Sequence, residues 1–256
     1  MTKVKAKKHL GQHFLKDKNI AKKIVDGISS DLNHILEIGP GMGILTQFLL
    51  EKKTSFSVVE IDSESVAYLK QNFEQLNIVE GDFLKIDLRH FGDNIGVIGN
   101  FPYNISTQIL FKIFENRNII SEMVGMFQKE VADRIISPPG SKIYGILSVL
   151  MQAFYDTKKL LIVEPGVFHP PPKVRSMVIR LTRNNVQKLD CNEELFVKIV
   201  KATFNQRRKT IRNSIKYIVA TPDFQSEFLS KRPEQLSVND FIKLTKEVEM
   251  FLKEFE

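Results

Sequence analysis

The sequence lacks features that define several whole classes of protein. It contains no tryptophan and a single cysteine, Cys191, which cannot form a disulfide within the chain and so indicates a reducing compartment. No apolar run approaches the ~20 residues that a membrane-spanning helix needs, and the lysine-rich N-terminus lacks the apolar core of a signal peptide. The five histidines show no spacing typical of a metal site. We therefore expect a cytoplasmic protein with no membrane partner and no bound metal.

Positive charge is unevenly distributed along the chain. Of the 256 residues, 43% are hydrophobic and 26% are charged, as in ordinary globular proteins, and the formal net charge is +7. Residues 1–23 carry +7, residues 24–100 carry −7, and residues 101–185 and 186–256 carry +5 and +2. Residues 198–216 contain seven Lys or Arg and no acid. Two basic clusters around an acidic middle indicate a polyanionic partner beside a separate small-molecule site, although solvated lysines are the alternative.

Strand-like runs alternate with helical spacing over most of the chain, which predicts an α/β fold with a doubly wound, mostly parallel sheet. The predicted strands are residues 32–38, 55–61, 77–80, 96–99, 121–127, 159–163 and 176–181. After Thr182 helical spacing replaces the strand-like runs. We therefore divide the chain into a basic N-terminal segment over 1–23, an α/β domain over 24–185 and a small helical domain over 186–256.

A nucleoside cofactor is predicted from residues at the ends of the first three of these strands. Gly39, Gly41 and a third glycine at 43 lie between a strand and a helix, where backbone N–H groups can approach a ligand. Glu60 ends the next strand, where an acid can accept both ribose hydroxyls, and Asp82 follows the third, where a carboxylate can accept an adenine amino group. Ile44 stands where dinucleotide-binding loops have a glycine. The spacing therefore favours S-adenosylmethionine over NAD, and a methyltransferase over an oxidoreductase.

The fourth strand leads into Asn100-Phe101-Pro102-Tyr103, which suits reaction at a nucleobase amine. Such an amine is a poor nucleophile because its lone pair is delocalised into the ring, and two acceptors aimed at its hydrogens would free that pair. The Asn100 side-chain oxygen and the carbonyl of Phe101 or Pro102 are the candidate acceptors, and Tyr103 offers a flat face for the base. Phe168, before a stiff run of three prolines, is a candidate for a second stacking surface, with a core phenylalanine as the alternative.

Together these segments resemble the ribosomal RNA adenine N6,N6-dimethyltransferases over nearly the whole chain. The motifs that carry the resemblance are Leu10–Leu15, Glu37–Gly41, Asn100–Ser106, Tyr144–Ser148, Phe168–Ser176, Phe204–Thr210 and Arg232–Ser237. The sequence departs from the commonest family pattern at three positions: His13, Phe101 and Arg175. None of these departures removes a group that the chemistry needs.

The resemblance implies a seven-stranded Rossmann-like methyltransferase sheet, a helical C-terminal domain and dimethylation of two adjacent adenines in the 3′-terminal hairpin of small-subunit (16S) rRNA. It implies small-subunit rRNA and the assembling 30S subunit as partners, and we expect a monomer. The implied cofactor contacts are His13, Leu15, Gly39, Glu60, Asp82 and Asn100. The target adenine would lie among Asn100, Pro102, Tyr103 and Phe168.

The basic run in the helical domain is interpreted as an RNA-binding surface. Its candidate phosphate contacts are Lys201, Arg207, Arg208, Lys209 and Arg212. Two other functions stay open at this point: methylation of large-subunit rRNA, as in macrolide resistance, and a ribosome-assembly role that depends mainly on binding.

Overall fold

A seven-stranded sheet organises the first part of the chain, which we describe from a computed structural model covering residues 4–254. Residues 1–3 of the predicted N-terminal segment, and residues 255 and 256, lie outside the described part. The strands are β1 (Phe14–Leu15), β2 (His34–Ile38), β3 (Ser55–Glu60), β4 (Asn77–Glu80), β5 (Ile95–Asn100), β6 (Ile120–Gln128), β7 (Tyr155–Val163), β8 (Phe168–His169) and β9 (Ser176–Arg183). The α-helices are α1 (Lys18–Asp26), α2 (Thr46–Leu49), α3 (Ser63–Asn72), α4 (Ser106–Glu115), α5 (Lys129–Ile136), α6 (Ile146–Gln152), α7 (Glu193–Asn205), α8 (Ile211–Val219) and α9 (Val238–Lys253).

The order of the main sheet is β4-β3-β2-β5-β6-β9-β7. The five strands β2 to β6 are parallel to one another, and β9 is antiparallel to β6. All five residues of β2 are buried, as expected for a central parallel strand covered on both faces. The predicted mostly parallel sheet is confirmed, and the strand order reverses beside β2, where ligands bind in open α/β sheets.

A two-stranded sheet outside the main one joins distant parts of the chain. Strand β1 pairs antiparallel with β8, so that Phe14 lies opposite His169 and Leu15 opposite Phe168. Shortly after β1, Asp17 caps the start of α1: its side chain accepts hydrogen bonds from the backbone N–H groups of Asn19 and Ile20. The basic segment over 1–23 is therefore not a separate tail, because its described residues form part of the first compact unit.

The chain divides into two compact units. Within residues 4–254, the first comprises the chain up to Ala132 and Asp156–Arg183, and the second comprises Asp133–Tyr155 and the chain from Asn184. The helical domain predicted from the sequence began at residue 186 and did not include Asp133–Tyr155. That segment joins the second unit because α6 packs on α7 and α9, and because Tyr144 forms an edge-on ring contact with Phe204, with centroids 5.9 Å apart.

Candidate active site

A large cavity opens at the carboxyl ends of the parallel strands in the first unit. Its volume is about 950 Å³ including the open mouth. The sequence-predicted residues among those lining it are His13, Gly39, Gly41, Glu60, Asp82, Asn100, Pro102 and Tyr103. Strand ends that are distant in sequence thus converge on one cavity, as the Rossmann-like topology requires.

The glycine loop after β2 has a left-handed backbone conformation, which residues with a side chain adopt only with strain. Gly41 and Gly43 have φ values of +56° and +77°. A Cβ atom on Gly41 would lie 2.7 Å from the Phe14 ring, and one on Gly43 would lie 2.5 Å from the ring of Phe73. Glycine is therefore required at both positions for conformation and for space.

Glu60 at the end of β3 ties this loop to the next strand. One carboxylate oxygen accepts a hydrogen bond from the backbone N–H of Gly41 at 3.0 Å, and the other accepts from that of Asp62 at 2.9 Å. Burial raises the pKa of the Glu60 carboxyl, while the two backbone donors oppose the rise. Each oxygen of an ionised carboxylate can accept a further hydrogen bond, so acceptor capacity is left for a diol in the cavity.

Asp82 lies at the neighbouring strand end. Its carboxylate accepts from the backbone N–H of Leu84 at 3.0 Å and begins a short 3₁₀ turn over Phe83–Lys85. The backbone N–H of Gly81 donates to the carbonyl of Glu60 at 2.8 Å, which fixes the two acidic positions relative to each other. Two acids on adjacent strand ends suit the sugar and the base of one nucleoside.

Asn100 at the end of β5 has its side-chain amide fixed in orientation. The amide nitrogen donates a hydrogen bond to the carbonyl of His13 at 2.8 Å. Because the donor end of the amide is used in this way, its oxygen is left as an acceptor for another partner. The carbonyl of Pro102 accepts from Ser106 and Ile105, at 3.0 and 3.2 Å. This use favours the carbonyl of Phe101 as the second acceptor for a bound amine.

Tyr103 is held by a partner from β9. Its hydroxyl lies 2.6 Å from that of Ser176, which is completely buried. The His13 ring lies beside the Tyr103 ring, with centroids 5.3 Å apart and planes 30° apart. Nδ1 of His13 is itself 2.7 Å from the carbonyl oxygen of Pro170. The aromatic face of the cavity is thus fixed by residues from three separate segments.

Phe168 and Leu15 do not line this cavity, in contrast to the sequence-based expectation. Phe168 is 1% exposed and packs in the hydrophobic core with Leu15, which is 4% exposed. Their pairing between β8 and β1 carries both side chains inward, so the structure does not supply Phe168 as a second stacking face. The ring that lies beside Tyr103 is that of His13.

The N-terminal segment forms one wall of the cavity and is fastened at both ends. Lys7 forms an ion pair with Asp62, and Gln12 donates to the same carboxylate at 3.1 Å. Asn104 donates to the carbonyl of His9 at 3.2 Å. At least one lysine of the basic tail therefore has a structural partner within the first unit.

Glu37 lines a smaller adjoining cavity and was not assigned a role from the sequence. This cavity has a volume of about 340 Å³ and is also lined by Leu15, Gly39 and Asn100. The Glu37 carboxylate accepts from the hydroxyl of Thr46 at 2.7 Å, and complete burial raises its pKa to about 8. An acid within the glycine motif was visible in the sequence, but its burial, and the absence of an ion pair to it within residues 4–254, were not.

The raised pKa of Glu37 predicts a specific pH dependence of stability. Between the ordinary pKa of 4.5 and the folded pKa of about 8, the folded state binds more protons than the unfolded state. The free energy of unfolding should therefore fall as pH rises through this range. We expect Glu37→Gln, which cannot ionise, to show a smaller fall in Tm than the parent protein between about pH 5 and pH 8. Glu80→Gln, at an exposed acid, is the control, and equal pH slopes for Glu37→Gln and the parent would contradict the assignment.

Ile61, next to Glu60, was also missed. It lines the large cavity while remaining 54% exposed, which is unusual for a large apolar side chain at a strand end. An apolar side chain beside the acid that is expected to bind ribose is suited to cover a flat base. Its position directly after Glu60 is the signal that could have identified it.

The basic residues of the second unit differ in their surroundings. Lys201, Arg208, Lys209 and Arg212 are exposed. Arg207 instead donates to the carbonyl of Ser141 at 3.1 Å and lies 3.8 Å from a carboxylate oxygen of Glu234. We therefore remove Arg207 from the set of expected phosphate contacts, because its guanidinium holds two segments of this unit together.

Within residues 4–254, no cluster of three or more His, Cys, Asp or Glu side chains could hold a metal ion. In the same range, no helix combines the length and the apolar character needed to cross a bilayer.

Comparison with known proteins gives consistent results. The family model for ribosomal RNA adenine dimethylase matches residues 3–254. Ribosomal RNA small subunit methyltransferase A of Bacteroides fragilis is 55% identical over 261 residues, covering 99% of this chain and 96% of the relative. The protein of the same name from Flavobacterium johnsoniae is 54% identical over 255 residues, covering 97% of this chain and 98% of the relative.

Two solved structures share the fold. A dimethyladenosine transferase from Plasmodium falciparum superposes with a TM-score of 0.80 at 27% identity, covering 93% of this chain and 98% of the other. The 23S rRNA methyltransferase ErmE superposes with a TM-score of 0.67 at 23% identity, covering 91% and 99%. The seven-stranded sheet is thus of the methyltransferase type.

Proposed function

Because the chain belongs to the ribosomal RNA adenine dimethylase family and is an S-adenosylmethionine-dependent methyltransferase, we propose that it dimethylates N6 of two adjacent adenines in the 3′-terminal hairpin of small-subunit rRNA. Relatives that are more than half identical to this chain are named for the small subunit. The 23S rRNA methyltransferase ErmE is 23% identical. This difference favours the small subunit over the large one as the source of the substrate.

The observation that carries the proposal is the orientation of Asn100. Its amide nitrogen is held by the carbonyl of His13, so the amide oxygen can accept a hydrogen bond from an adenine amine. The carbonyl of Phe101 is the second acceptor. Two acceptors on one N6 amine draw its nitrogen towards a tetrahedral geometry and free its lone pair for attack.

Most of the rate enhancement is expected from positioning. Tyr103 supplies the face on which the base lies, and the bond to Ser176 fixes the direction of its ring. Once alkylated, the amine nitrogen carries positive charge and loses a proton readily, so no strong general base is required. An adenine inside a paired stem could not reach the cavity, so we expect the target bases to be unstacked before reaction.

The cavity fits S-adenosylmethionine, which supplies an electrophilic methyl group when it is bound. Gly39 of the glycine loop leaves open space, since a Cβ atom there would meet only Pro102, at 3.9 Å. Glu60 and Asp82 offer acceptors for ribose and adenine, and Ile61 offers an apolar cover. Glu37, in the adjoining cavity, is a buried acid, and the cationic amino group of S-adenosylmethionine would give it a partner of opposite charge.

A methyl-transfer assay tests the proposed substrate. Purified protein and tritiated S-adenosylmethionine are incubated with naked 16S rRNA, assembling small subunits, mature small subunits and 23S rRNA, and the modified bases are located by primer extension. We expect label at two adjacent adenines near the 3′ end of 16S rRNA, and most label in assembling subunits. Methylation confined to 23S rRNA would overturn the proposal.

We further propose that the assembling 30S subunit is the physiological partner, that a monomer acts on it, and that this takes place in the cytoplasm. The exposed basic side chains of the second unit support contact with a polyanion. Light scattering, which measures molar mass, tests the monomer: we expect the mass of one chain for the protein alone, and an increase by the mass of one chain when it binds an assembling subunit.

The salt dependence of RNA binding should separate Arg208 and Lys209 from Arg207. Each phosphate contact contributes about 0.7–0.9 to the slope of log affinity against log salt concentration. We expect the double variant Arg208→Ala, Lys209→Ala to reduce this slope by about 1 to 2 without changing cofactor affinity. Arg207→Ala should instead lower Tm, because it loses the contacts with Ser141 and Glu234. An unchanged slope in the double variant would remove these two residues from the RNA surface.

A further inference from the structure

A second cavity, in the helical unit, lies outside the site described above. It has a volume of about 850 Å³ including its open mouth. Helix α8 forms one wall and residues 220–229 form the other. The helix ends at Ala220, whose φ of +59° lies in the left-handed region, and this turn lets the chain run back along the helix. We call this cavity the α8 pocket.

The floor of the α8 pocket is apolar. It contains Ile215 and Val219 from the helix and Phe224 and Leu229 from the returning segment, and each of these is 5% exposed or less. These four side chains have no polar atoms, so a flat apolar group could lie over the floor without leaving any of their groups short of a hydrogen bond.

The rim combines positive charge with an exposed aromatic ring. Arg212 and Lys216 are four residues apart and so lie on the same side of the helix. Tyr217 is 76% exposed, and the Lys216 ammonium lies 5.1 Å from the centre of its ring. The Tyr217 ring therefore contributes little to the core and lies next to two cations. Proteins use this combination of an exposed ring and positive charge to bind an unpaired base and its phosphate.

The charge around the pocket favours a polyanion over a hydrophobic peptide. Arg208 and Lys209 lie just before helix α8 in the sequence. The backbone N–H of Ile211, the first residue of the helix, donates to the carbonyl of Lys231 at 2.8 Å. This bond brings two further basic residues, Lys231 and Arg232, to the start of the helix. The exposed acids on the returning segment are Asp223, which accepts from Thr221 at 2.9 Å, and Glu227. Basic residues therefore predominate on the helix side of the rim.

We propose that the α8 pocket binds an unpaired nucleotide of the RNA substrate, with its base against Tyr217 and its phosphate on Arg212 and Lys216. The inference rests on the proposed function only in taking RNA as the ligand. It adds a second base-binding site, in the helical unit, at which no chemistry takes place. Such a contact would favour RNA that offers an unpaired base in addition to the target adenines.

The test compares an oligonucleotide that has bases with one that lacks them. Fluorescent oligoadenylate and an abasic oligomer of equal length and charge are titrated with the full chain, whose large cavity is saturated with S-adenosylhomocysteine. Stacking of one base contributes enough binding energy for Tyr217→Ala to weaken oligoadenylate binding by roughly five-fold or more. The same variant should leave abasic oligomer binding unchanged, whereas Arg212→Ala should weaken the binding of both.

Two further variants keep the interpretation specific. Tyr217→Phe retains the ring and should bind oligoadenylate like the parent protein, and Met250→Ala, at another exposed apolar residue of the same unit with 61% exposure, should change neither affinity. Equal losses for both oligomers in Tyr217→Ala, or no loss for either, would overturn the proposal, and a protein partner would then be the better candidate for the pocket.

Methyl transfer separates failure of this proposal from failure of the proposed function. Tyr217→Ala should raise the KM for assembling subunits and leave kcat unchanged, because Tyr217 lies outside the large cavity. If the parent protein does not methylate 16S rRNA, the proposed function fails, yet the comparison of the two oligomers still decides whether the α8 pocket binds a base.

Discussion

Asn100→Ala should reduce methyl transfer by roughly a hundred-fold or more while S-adenosylmethionine still binds measurably. The variant removes the acceptor for the N6 amine and the bond that holds the His13 carbonyl, and loss of correct positioning alone can lower a rate by about a hundred-fold. Cofactor affinity should change much less, because Gly41, Glu60 and Asp82 still line the cavity. Single-turnover methylation of assembling subunits and calorimetry with the cofactor measure the two quantities.

Asn100→Asp provides the matched control for this position. An aspartate keeps an acceptor oxygen but cannot donate to His13, so its carboxylate would face a carbonyl oxygen. We expect turnover between that of the parent and that of Asn100→Ala. Near-normal turnover of Asn100→Ala on assembling subunits would contradict the role assigned to the amide.

The second large effect is expected for Glu60→Gln, as a loss of cofactor affinity of roughly a hundred-fold. Hydrogen bonds to a charged group contribute about 1.5–3 kcal/mol each, and the substitution weakens those available to the ribose hydroxyls. The amide nitrogen of glutamine would also face one of the two backbone N–H groups, of Gly41 or Asp62, that the carboxylate now accepts from. Calorimetry with S-adenosylmethionine measures the change.

Glu80→Gln is the control for Glu60→Gln because the two acids lie opposite each other at the ends of β3 and β4. Glu80 is exposed and lies outside the residues that line the cavity, so its substitution should leave cofactor affinity unchanged. Parent-like affinity in Glu60→Gln would mean that the carboxylate only holds the glycine loop.

The helical unit shows most directly what only the tertiary structure could decide. Arg207 and Arg208 are adjacent and identical in type, yet one holds Ser141 and Glu234 and the other is exposed. Nothing local distinguishes them, because the partners of Arg207 lie 66 and 27 residues away in the sequence. The same applies to the segment 133–155, whose membership of the helical unit depends on packing against α7 and α9.

The sequence by itself determined the sheet and brought most of the predicted cofactor-binding residues to one cavity. Buried parallel strands are recognisable as short apolar runs, and their carboxyl ends meet at one edge of a sheet whichever helices connect them. Residues at or just beyond the ends of such runs, namely Gly39, Glu60, Asp82 and Asn100, therefore had to converge. The tertiary structure alone decided that Phe168 faces the core, that His13 lies beside Tyr103 and that burial raises the pKa of Glu37. Each of these depends on burial or on partners from distant segments, and none of them is a property of the local sequence.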